Sequence, residues 1–494
     1  MSDIAERLTE LEGLGLSRRL RLVSGPQGPT VLLDGMPVLL LCSNNYLGLA
    51  DHPRVREAAA EAAMRWGAGA GASRLISGTM TIHRRLEERL ASFERSEACL
   101  LFGSGYLANL GVIGALAGRG DTVFSDELNH ASIVDGCRLS RAEVVVYRHL
   151  DVEHLEWSMR HHGHRRDGLG RRLIVTDSVF SMDGHVAPLH AIVEIARAHD
   201  ARVAVDEAHA TGTFGPDGRG AIAQAGLEGE IDVLIGTLGK ALGSYGAYVC
   251  ADVQMVRYLI NTARSLIFST APAPPAVAAA LAALELLQER PHRVQRLHAN
   301  ARALRRALAA EGFPVAEDDM PIVPLVLGDE REAMRMCQQA IEDGVFAQAI
   351  RPPTVPAGTS RLRLAAMASH TAADMVKAAG VLAQAARKLE LDPTEIGAPP
   401  NRWEPLADEP RDAYEGGHAT VLATEVHARP PAPFDLERNA ELSPAPAAAT
   451  ARAPSAPLDG EDAPGPRVPF DGQDAPRPSA PFDGERDAEI ARAA

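Results

Sequence analysis

From about residue 51 to residue 252, the chain alternates between two patterns of apolar positions. Stretches with an apolar residue every three or four positions predict amphipathic helices. Short unbroken apolar runs, bounded by Gly, Asp and polar residues, predict buried strands. Seven runs fit this description: ACLLF, DTVFS, EVVVY, LIVTDS, RVAVDE, DVLIG and YGAYVC. The alternation predicts an α/β fold, with a mainly parallel seven-stranded sheet between helices on both faces.

The same patterns predict the domain organisation. Residues 1–50 indicate a helix followed by a short hairpin, with Asp34 and Gly35 in its turn. The large α/β domain is predicted over residues 51–271. Residues 272–392 are predicted to form a smaller α+β domain, in which two long helical stretches precede short strands and two further helices.

Residues 393–494 differ from the rest of the chain, because their periodicity stops and Pro, Ala, Asp and Glu dominate. Three copies of one phrase stand twelve residues apart, at Pro457–Glu461, Pro469–Gln473 and Pro481–Glu485. Each copy has too few apolar residues to build a solenoid. We therefore predict a Pro/Ala-rich acidic tail that is largely disordered, and we consider it a candidate docking segment for a protein partner.

Composition narrows the classes of function. The 494 residues carry a formal net charge of −15, which argues against a nucleic-acid partner because phosphate binding needs a basic face. The five cysteines are scattered without a CxxC pair, which favours reduced thiols, a cytoplasmic protein and no metal site. The charged, helical start is unlike a signal peptide, and no apolar run is long enough to predict a membrane span.

Two candidate functional residues follow predicted strands that are one βαβ step apart. Asp206 ends the run ARVAV, where its carboxylate can pair with a protonated pyridine nitrogen or cap the next helix. Lys240 ends the glycine turn GTLGK after the strand DVLIG. Desolvation on such a turn leaves a nucleophilic amine, although most lysines are solvated surface charges. The spacing of the two residues favours a shared cofactor site.

Two further signals lie at strand ends of the same domain. The stretch Gly103–Asn109 follows the strand ACLLF and opens a helix, whose free amides attract phosphate. His130 follows the strand DTVFSD, where it can lie flat on an aromatic cofactor or act as an ordinary polar residue at a helix start. Four such signals together outweigh the separate structural explanations and favour pyridoxal phosphate held on Lys240.

Over about residues 20–388, the chain resembles the α-oxoamine synthases. These form a fold-type I pyridoxal-phosphate-dependent transferase family with the class I/II aminotransferase fold. The resemblance is carried by SNNYLGL, GAGASRLISG, LNHASIVDGCRLSRA, TDSVFSMDG, VDEAHATGTFGPDGRG, GTLGKALGSYGAYV, FSTAP and RPPTVPAGTSRLRL.

The resemblance implies roles for four catalytic residues, all of which would also contact the cofactor. Lys240 matches the Schiff-base lysine, and Asp206 matches the partner of the pyridine nitrogen. His209 matches the donor to the ring oxygen of the cofactor, and His130 matches the histidine that stacks on the ring.

The resemblance also implies further cofactor contacts and the substrate contacts. Cofactor contacts are implied for Gly105, Tyr106, Ser181 and Thr237, and for Ser269 and Thr270 toward the cofactor of a neighbouring subunit. Substrate contacts are implied for Arg21, Asn44, Thr354 and Arg363, of which Asn44 and Arg363 would hold the amino-acid carboxylate and Thr354 would lie near the acyl chain.

The implied activity is an acyl transfer in a homodimer, with the active site at the subunit interface. An amino acid condenses with an acyl thioester of coenzyme A or of a carrier protein, and CO2 is lost. The phrases TDSVFSMDG, DEAHATG and RPPTVPAGTSRLRL favour L-alanine and a pimeloyl thioester, as used in biotin biosynthesis. The alternatives are sister enzymes that use glycine with acetyl-CoA or serine with a long acyl-CoA, and a non-catalytic regulator. His185 departs from the family pattern, in which an Asp is common.

Overall fold

The N-terminal segment of the computed structural model holds a helix and a three-stranded antiparallel unit. The structure describes residues 2–162 and 170–397, which all lie in one compact unit. The turn of the predicted hairpin has positive φ at Asp34 (49°) and Gly35 (87°), as a two-residue turn matched to the strand twist requires. The elements are α1 (Ser2–Gly13), β1 (Val23–Ser24), β2 (Thr30–Leu33) and β3 (Met36–Leu40).

A seven-stranded sheet forms the centre of the molecule, which confirms the predicted fold class. Its strands, named in chain order, are β4 (Ala98–Phe102), β5 (Thr122–Asp126), β6 (Glu143–Tyr147), β7 (Arg172–Asp177), β8 (Arg202–Asp206), β9 (Val233–Thr237) and β10 (Ala247–Ala251). The spatial order is β4-β10-β9-β8-β7-β5-β6, and only β10 runs antiparallel to its neighbours. Most central-strand residues are buried because hydrophobic clusters cover both faces of the sheet.

Helices cover this sheet, as the alternating sequence pattern predicts. The helix α4 carries apolar residues all round and is correspondingly buried against the sheet and its helical neighbours. The helices are α2 (Pro53–Trp66), α3 (Thr81–Glu94), α4 (Gly105–Leu116), α5 (Ala131–Ser140), α6 (Val152–His161), α7 (Leu189–Ala198), α8 (Gly220–Ala225), α9 (Val253–Thr262) and α10 (Arg264–Ile267).

The C-terminal elements form an antiparallel sheet with the order β11-β14-β13, flanked by helices. The two predicted strands are β11 and β14, and of the two predicted helices α13 lies between these strands and α14 follows them. The strands β12 and β13 were missed because two or three residues show no periodicity. The elements are α11 (Pro274–Glu289), α12 (His292–Ala310), β11 (Ile322–Gly328), α13 (Glu330–Glu342), β12 (Val345–Phe346), β13 (Gln348–Ile350), β14 (Ser360–Ala365) and α14 (Ala372–Lys388).

Two packing contacts tie the segments together. The strand β3 pairs in parallel with β12, so the N-terminal hairpin shares a hydrophobic cluster with α13 and α14. The helix α11 packs instead against α2 and α3, within the cluster on one face of the central sheet. The domain boundaries after residues 50, 271 and 392 stay predictions. The predicted tail beyond residue 397 and its docking role lie outside the described residues.

Candidate active site

The four strand-end signals meet at one edge of the central sheet. The strands β5, β7, β8 and β9 run in the same direction, and three of them end in acidic residues, Asp126, Asp177 and Asp206. Parallel strands present their carboxyl ends at the same edge, which is where ligands of such sheets bind. The turn after β9 brings Lys240 to this edge.

Lys240 forms a direct contact with His209, with 2.8 Å between Lys240 Nζ and His209 Nε2. Burial lowers the pKa of the Lys240 amine to about 8, although the charges of Asp206 and Asp177 oppose this shift. Burial, and then the positive charge of Lys240, hold the pKa of His209 well below its ordinary value. The site therefore contains a neutral imidazole beside an amine that readily becomes nucleophilic.

Asp206 is buried and is held by two donors. The side-chain amide of Asn109 donates to its Oδ2 at 2.7 Å, and the Ala208 backbone N–H donates to its Oδ1 at 2.8 Å. Asn109 also donates to Ser132 Oγ at 2.9 Å, so it links the carboxylate to the start of α5. This anchoring fixes the direction of a buried negative charge before any ligand binds.

His130 lies at the N-terminus of α5 and is exposed. Its backbone N–H donates to Asp177 Oδ2 at 2.7 Å, and the Ser132 backbone N–H donates to His130 Nδ1 at 3.2 Å. Desolvation lowers the pKa of His130, against the charge of Asp206. Burial and the neighbouring Asp206 raise the pKa of Asp177 well above its ordinary value. The imidazole is thus oriented by neighbours and kept neutral.

Arg363 lies on β14 and reaches the same edge of the sheet. Its guanidinium donates to Tyr46 Oη at 2.9 Å, to Asn44 Oδ1 at 3.1 Å and to the Ser181 carbonyl at 2.5 Å. Tyr46 Oη lies 2.8 Å from His209 Nδ1. One hydroxyl therefore joins the arginine to the pair of His209 and Lys240.

The start of α4 offers a site for an anion. Ser104 caps the helix by accepting from the Leu107 N–H at 3.2 Å, and the amides of Gly105 and Tyr106 lie in the first turn, where no intrahelical acceptor exists. A Cβ added at Gly105 would meet no atom within 4 Å, so open space faces this helix end. Thr237 ends β9, and its hydroxyl donates to the Gly246 carbonyl at 3.2 Å.

The remaining predicted contacts lie in other surroundings: Arg21, Thr354, Ser269 and Thr270. Arg21 contacts Gln338 Oε1 at 3.2 Å and stacks over the Phe346 ring at 5.8 Å. The side chain of Thr354 lies in an exposed turn. Ser269 and Thr270 line a small cleft beside Gly103.

The donor set fits pyridoxal phosphate. A desolvated amine, a fixed buried carboxylate and an open helix N-terminus match its aldehyde, its pyridine nitrogen and its phosphate. In residues 2–162 and 170–397, no group of three or more His, Cys, Asp or Glu side chains is arranged to hold a metal ion. Within the same ranges, no helix has the length and apolar character that crossing a membrane requires.

Residues 36–382 match the family model described as aminotransferase class I and II. The chain belongs to this family. The 8-amino-7-oxononanoate synthase of Geobacter sulfurreducens is 51% identical over 389 residues, which cover 78% of this chain and 98% of that protein. The enzyme of the same name from Anaeromyxobacter dehalogenans strain 2CP-1 is 52% identical over 372 residues, covering 75% of this chain and 92% of that protein.

Solved structures agree with the placement in the aminotransferase class I and II family. A serine palmitoyltransferase from S. paucimobilis, solved with a bound PLP–myriocin aldimine, superposes with a TM-score of 0.74 at 34% identity, covering 78% of this chain and 98% of the other. An 8-amino-7-oxononanoate synthase from Francisella tularensis gives 0.61 at 26% identity, covering 72% and 99%. The predicted α-oxoamine synthase family and its pyridoxal phosphate cofactor are confirmed.

Three residues of this aminotransferase-family site were missed as separate candidates: Tyr46, Asn109 and Asp177. Each lies inside a phrase that carried the resemblance or the turn signal, SNNYLGL, GSGYLAN or TDSVFSMDG. No spacing rule distinguishes a buried tyrosine that bridges two polar groups from one that only fills the core. Their contacts depend on elements that are distant in the chain.

Replacing Tyr46 with phenylalanine should raise the KM for the amino-acid substrate about tenfold, because a hydrogen bond to the charged Arg363 is lost. The fall in kcat should be smaller, since Lys240 and Asp206 keep their own contacts. Steady-state kinetics with varied amino acid measures both. Tyr248→Phe is the matched control, because it removes a buried hydroxyl that contacts Glu94 and Thr211. An equal rise in KM for both variants would contradict the assignment.

Proposed function

We propose that this chain condenses L-alanine with a pimeloyl thioester of coenzyme A or a carrier protein. The products are 8-amino-7-oxononanoate, CO2 and the free thiol, in biotin biosynthesis. The high identity to curated relatives of that name, over nearly their whole length, supports this activity. One observation carries the chemistry: the Lys240 amine lies 2.8 Å from His209, which is itself one tyrosine hydroxyl away from Arg363.

Arg363 would bind the carboxylate of alanine. Its guanidinium is buried and its planar fork matches a carboxylate, while contacts with Tyr46, Asn44 and Ser181 hold it in place. An arginine held at several points loses little further side-chain entropy when a substrate arrives. It would therefore orient the Cα–H bond of alanine toward the reacting groups.

Lys240 would serve first as the covalent anchor of the cofactor and then as the general base. Its amine has a pKa of about 8, so a far larger fraction is neutral near physiological pH than for an ordinary lysine, and Nζ can accept the Cα proton. Bound pyridoxal phosphate supplies an electron-accepting ring that stabilises negative charge on Cα. Asp206 would keep the ring nitrogen protonated, since its buried carboxylate is fixed by Asn109 and Ala208.

The remaining contacts are proposed from the family pattern. His209 would donate to the ring oxygen of the cofactor, and His130 would cover one face of the ring. Gly105 and Tyr106 would bind the phosphate through their amides, with Ser181 and Thr237 beside the cofactor. Arg21 and Thr354 would reach the acyl substrate. Ser269 and Thr270 would contact the cofactor of a second copy in a homodimer, and we propose that the enzyme acts in the cytoplasm.

A sister activity is the second candidate, because serine palmitoyltransferases are among the structural neighbours. The test is a steady-state panel of alanine, glycine and serine against pimeloyl, acetyl and palmitoyl thioesters. We expect kcat/KM to be highest for alanine with pimeloyl thioester, by about 100-fold or more over the other pairs. A preference for serine with palmitoyl thioester, or turnover of no pair, would overturn the proposal. The second outcome would favour a non-catalytic protein.

A further inference from the structure

Beside the active site, three titratable side chains form a chain of hydrogen bonds. His149 Nδ1 lies 2.8 Å from Asp126 Oδ1, and His149 Nε2 lies 3.0 Å from His185 Nδ1. Asp126 and His149 are buried, and the two imidazoles stack with 5.3 Å between their centroids. His185 also lines a cavity of about 360 Å3 between its loop and the segment that follows α12. None of these three residues has a role in the proposed reaction.

His185 lies in a loop, residues 178–187, that contacts Arg363 of β14. We name this loop the arginine loop after that contact. The backbone N–H of Phe180 donates to the His185 carbonyl, and that of Ala187 donates to the Ser178 carbonyl, both at 2.9 Å. The Ser181 carbonyl of the same loop accepts from Arg363 Nε at 2.5 Å. A short, internally bonded loop therefore links His185 to the guanidinium.

The arginine loop contacts the rest of the protein through two further side chains. Asp183 forms a buried ion pair with Arg361, which lies two residues before Arg363 on β14. His185 fastens the opposite side of the loop to His149, and through it to the end of β5. The loop thus spans the distance between the central sheet and β14.

The histidine pair has room for one bridging proton. Asp126 accepts the proton on His149 Nδ1, so His149 Nε2 either accepts from His185 Nδ1 or, when protonated, donates to it. A first added proton is accommodated in this way, and one imidazole of the pair is then positively charged. Protonation of both imidazoles would place two N–H donors and two positive charges against each other at 3.0 Å, and the contact would break.

Charged groups surround this pair from several elements. Asp183 of the loop and Asp126 of β5 favour a proton on His185, whereas His149 and Arg361 disfavour it. Burial is the largest influence and lowers the pKa of His185. The other charged neighbours are Glu127 and Arg148 beside His149, and Arg305 and Asp318 on the cavity wall.

We propose that His185 is a positioning residue that holds Arg363 through the arginine loop, and that protonation of both imidazoles of the His149–His185 pair weakens binding of the amino-acid substrate. The identity of that substrate rests on the proposed function. The coupling itself does not, because Arg363 is held by this loop whatever amino acid binds.

The test compares the wild-type holoenzyme with His185→Asn, which keeps a hydrogen-bonding side chain but cannot take a second charge. Between about pH 8 and about pH 5.5, the wild-type KM for the amino acid should rise at least fivefold more than that of the variant, with kcat changing equally in both. Protonation of Lys240 and of the substrate amine affects both enzymes alike. His190→Asn is the control, since this exposed histidine lies on α7 just beyond the loop.

A second measurement does not depend on activity. Because the pKa of His185 is lowered in the folded protein, the unfolded chain binds more protons below about pH 6.5, and acid lowers stability. The unfolding temperature of the wild type should therefore fall on acidification by about 2 °C more than that of His185→Asn.

Identical pH profiles of KM for wild type and His185→Asn would overturn the inference. If this variant does not fold, His185→Asp replaces it with the same two outcomes, because its carboxylate accepts from protonated His149. The amino acid is the one that the substrate panel selects. Failure of alanine in that panel would count against the proposed function, whereas matching pH profiles with a good substrate would count against the role of His185.

Discussion

Replacing Lys240 with alanine should reduce turnover at least about 10⁴-fold, because both the covalent anchor and the proton acceptor are removed. The Nζ atom that lies 2.8 Å from His209 has no substitute as the anchor, since the imidazoles of His209 and His130 offer no primary amine that could form a Schiff base. The absorbance band of lysine-bound cofactor should also disappear. Steady-state assays and absorbance spectra of the purified enzyme measure both effects.

Lys377→Ala is the control for this prediction. Lys377 is an exposed lysine on α14, and its loss should leave both turnover and the spectrum unchanged. Undiminished turnover in the Lys240 variant would mean that another amine anchors the cofactor. A variant that loses turnover but keeps the absorbance band would leave Lys240 as a base only, which contradicts its assignment as the anchor.

Replacing Asp206 with asparagine should lower kcat by about 10²–10³-fold, because the buried negative charge that would stabilise a protonated ring nitrogen is lost. The Asn109 amide and the Ala208 N–H both donate to Asp206, so one of these donors would face the new amide N–H2 group. The KM for the amino acid should change much less, since Arg363 makes none of its hydrogen bonds with Asp206.

Asp217→Asn is the matched control, at an exposed turn position with φ of 56°, where asparagine is readily accommodated. Kinetics of the two variants at saturating thioester give the comparison. If Asp206→Asn raised KM and left kcat unchanged, Asp206 would act in substrate binding and the proposed pairing with the ring nitrogen would be wrong. Circular dichroism of both variants checks that the fold is retained.

Much of the fold follows from local pattern. The seven strands of the central sheet are short apolar runs between turns. This pattern is typical of strands that are buried on both faces of a mainly parallel sheet. The Asp34–Gly35 hairpin follows from two residues that tolerate positive φ. The strands β12 and β13 carry no comparable signal. Their pairing depends on distant residues: β3 lies about 300 positions from β12, and the partners in β14 lie 11 to 15 positions from those in β13.

Some residues of the candidate site could likewise be predicted from the sequence, whereas others could not. Asp206, Lys240 and His130 end or follow predicted strands, and parallel strands must bring their carboxyl ends to one edge. These residues could therefore be placed in one site from the sequence alone, and the family resemblance implied a role for each.

The contacts that complete this site join elements that are far apart in the chain. Tyr46 joins Arg363 to His209 across 317 and 163 residues of chain, and His149 meets His185 across 36 residues. A local pattern records which face of an element is apolar, but not which buried polar groups satisfy one another. That choice follows from the need to pair every desolvated donor and acceptor, and it is made only when separate elements pack together.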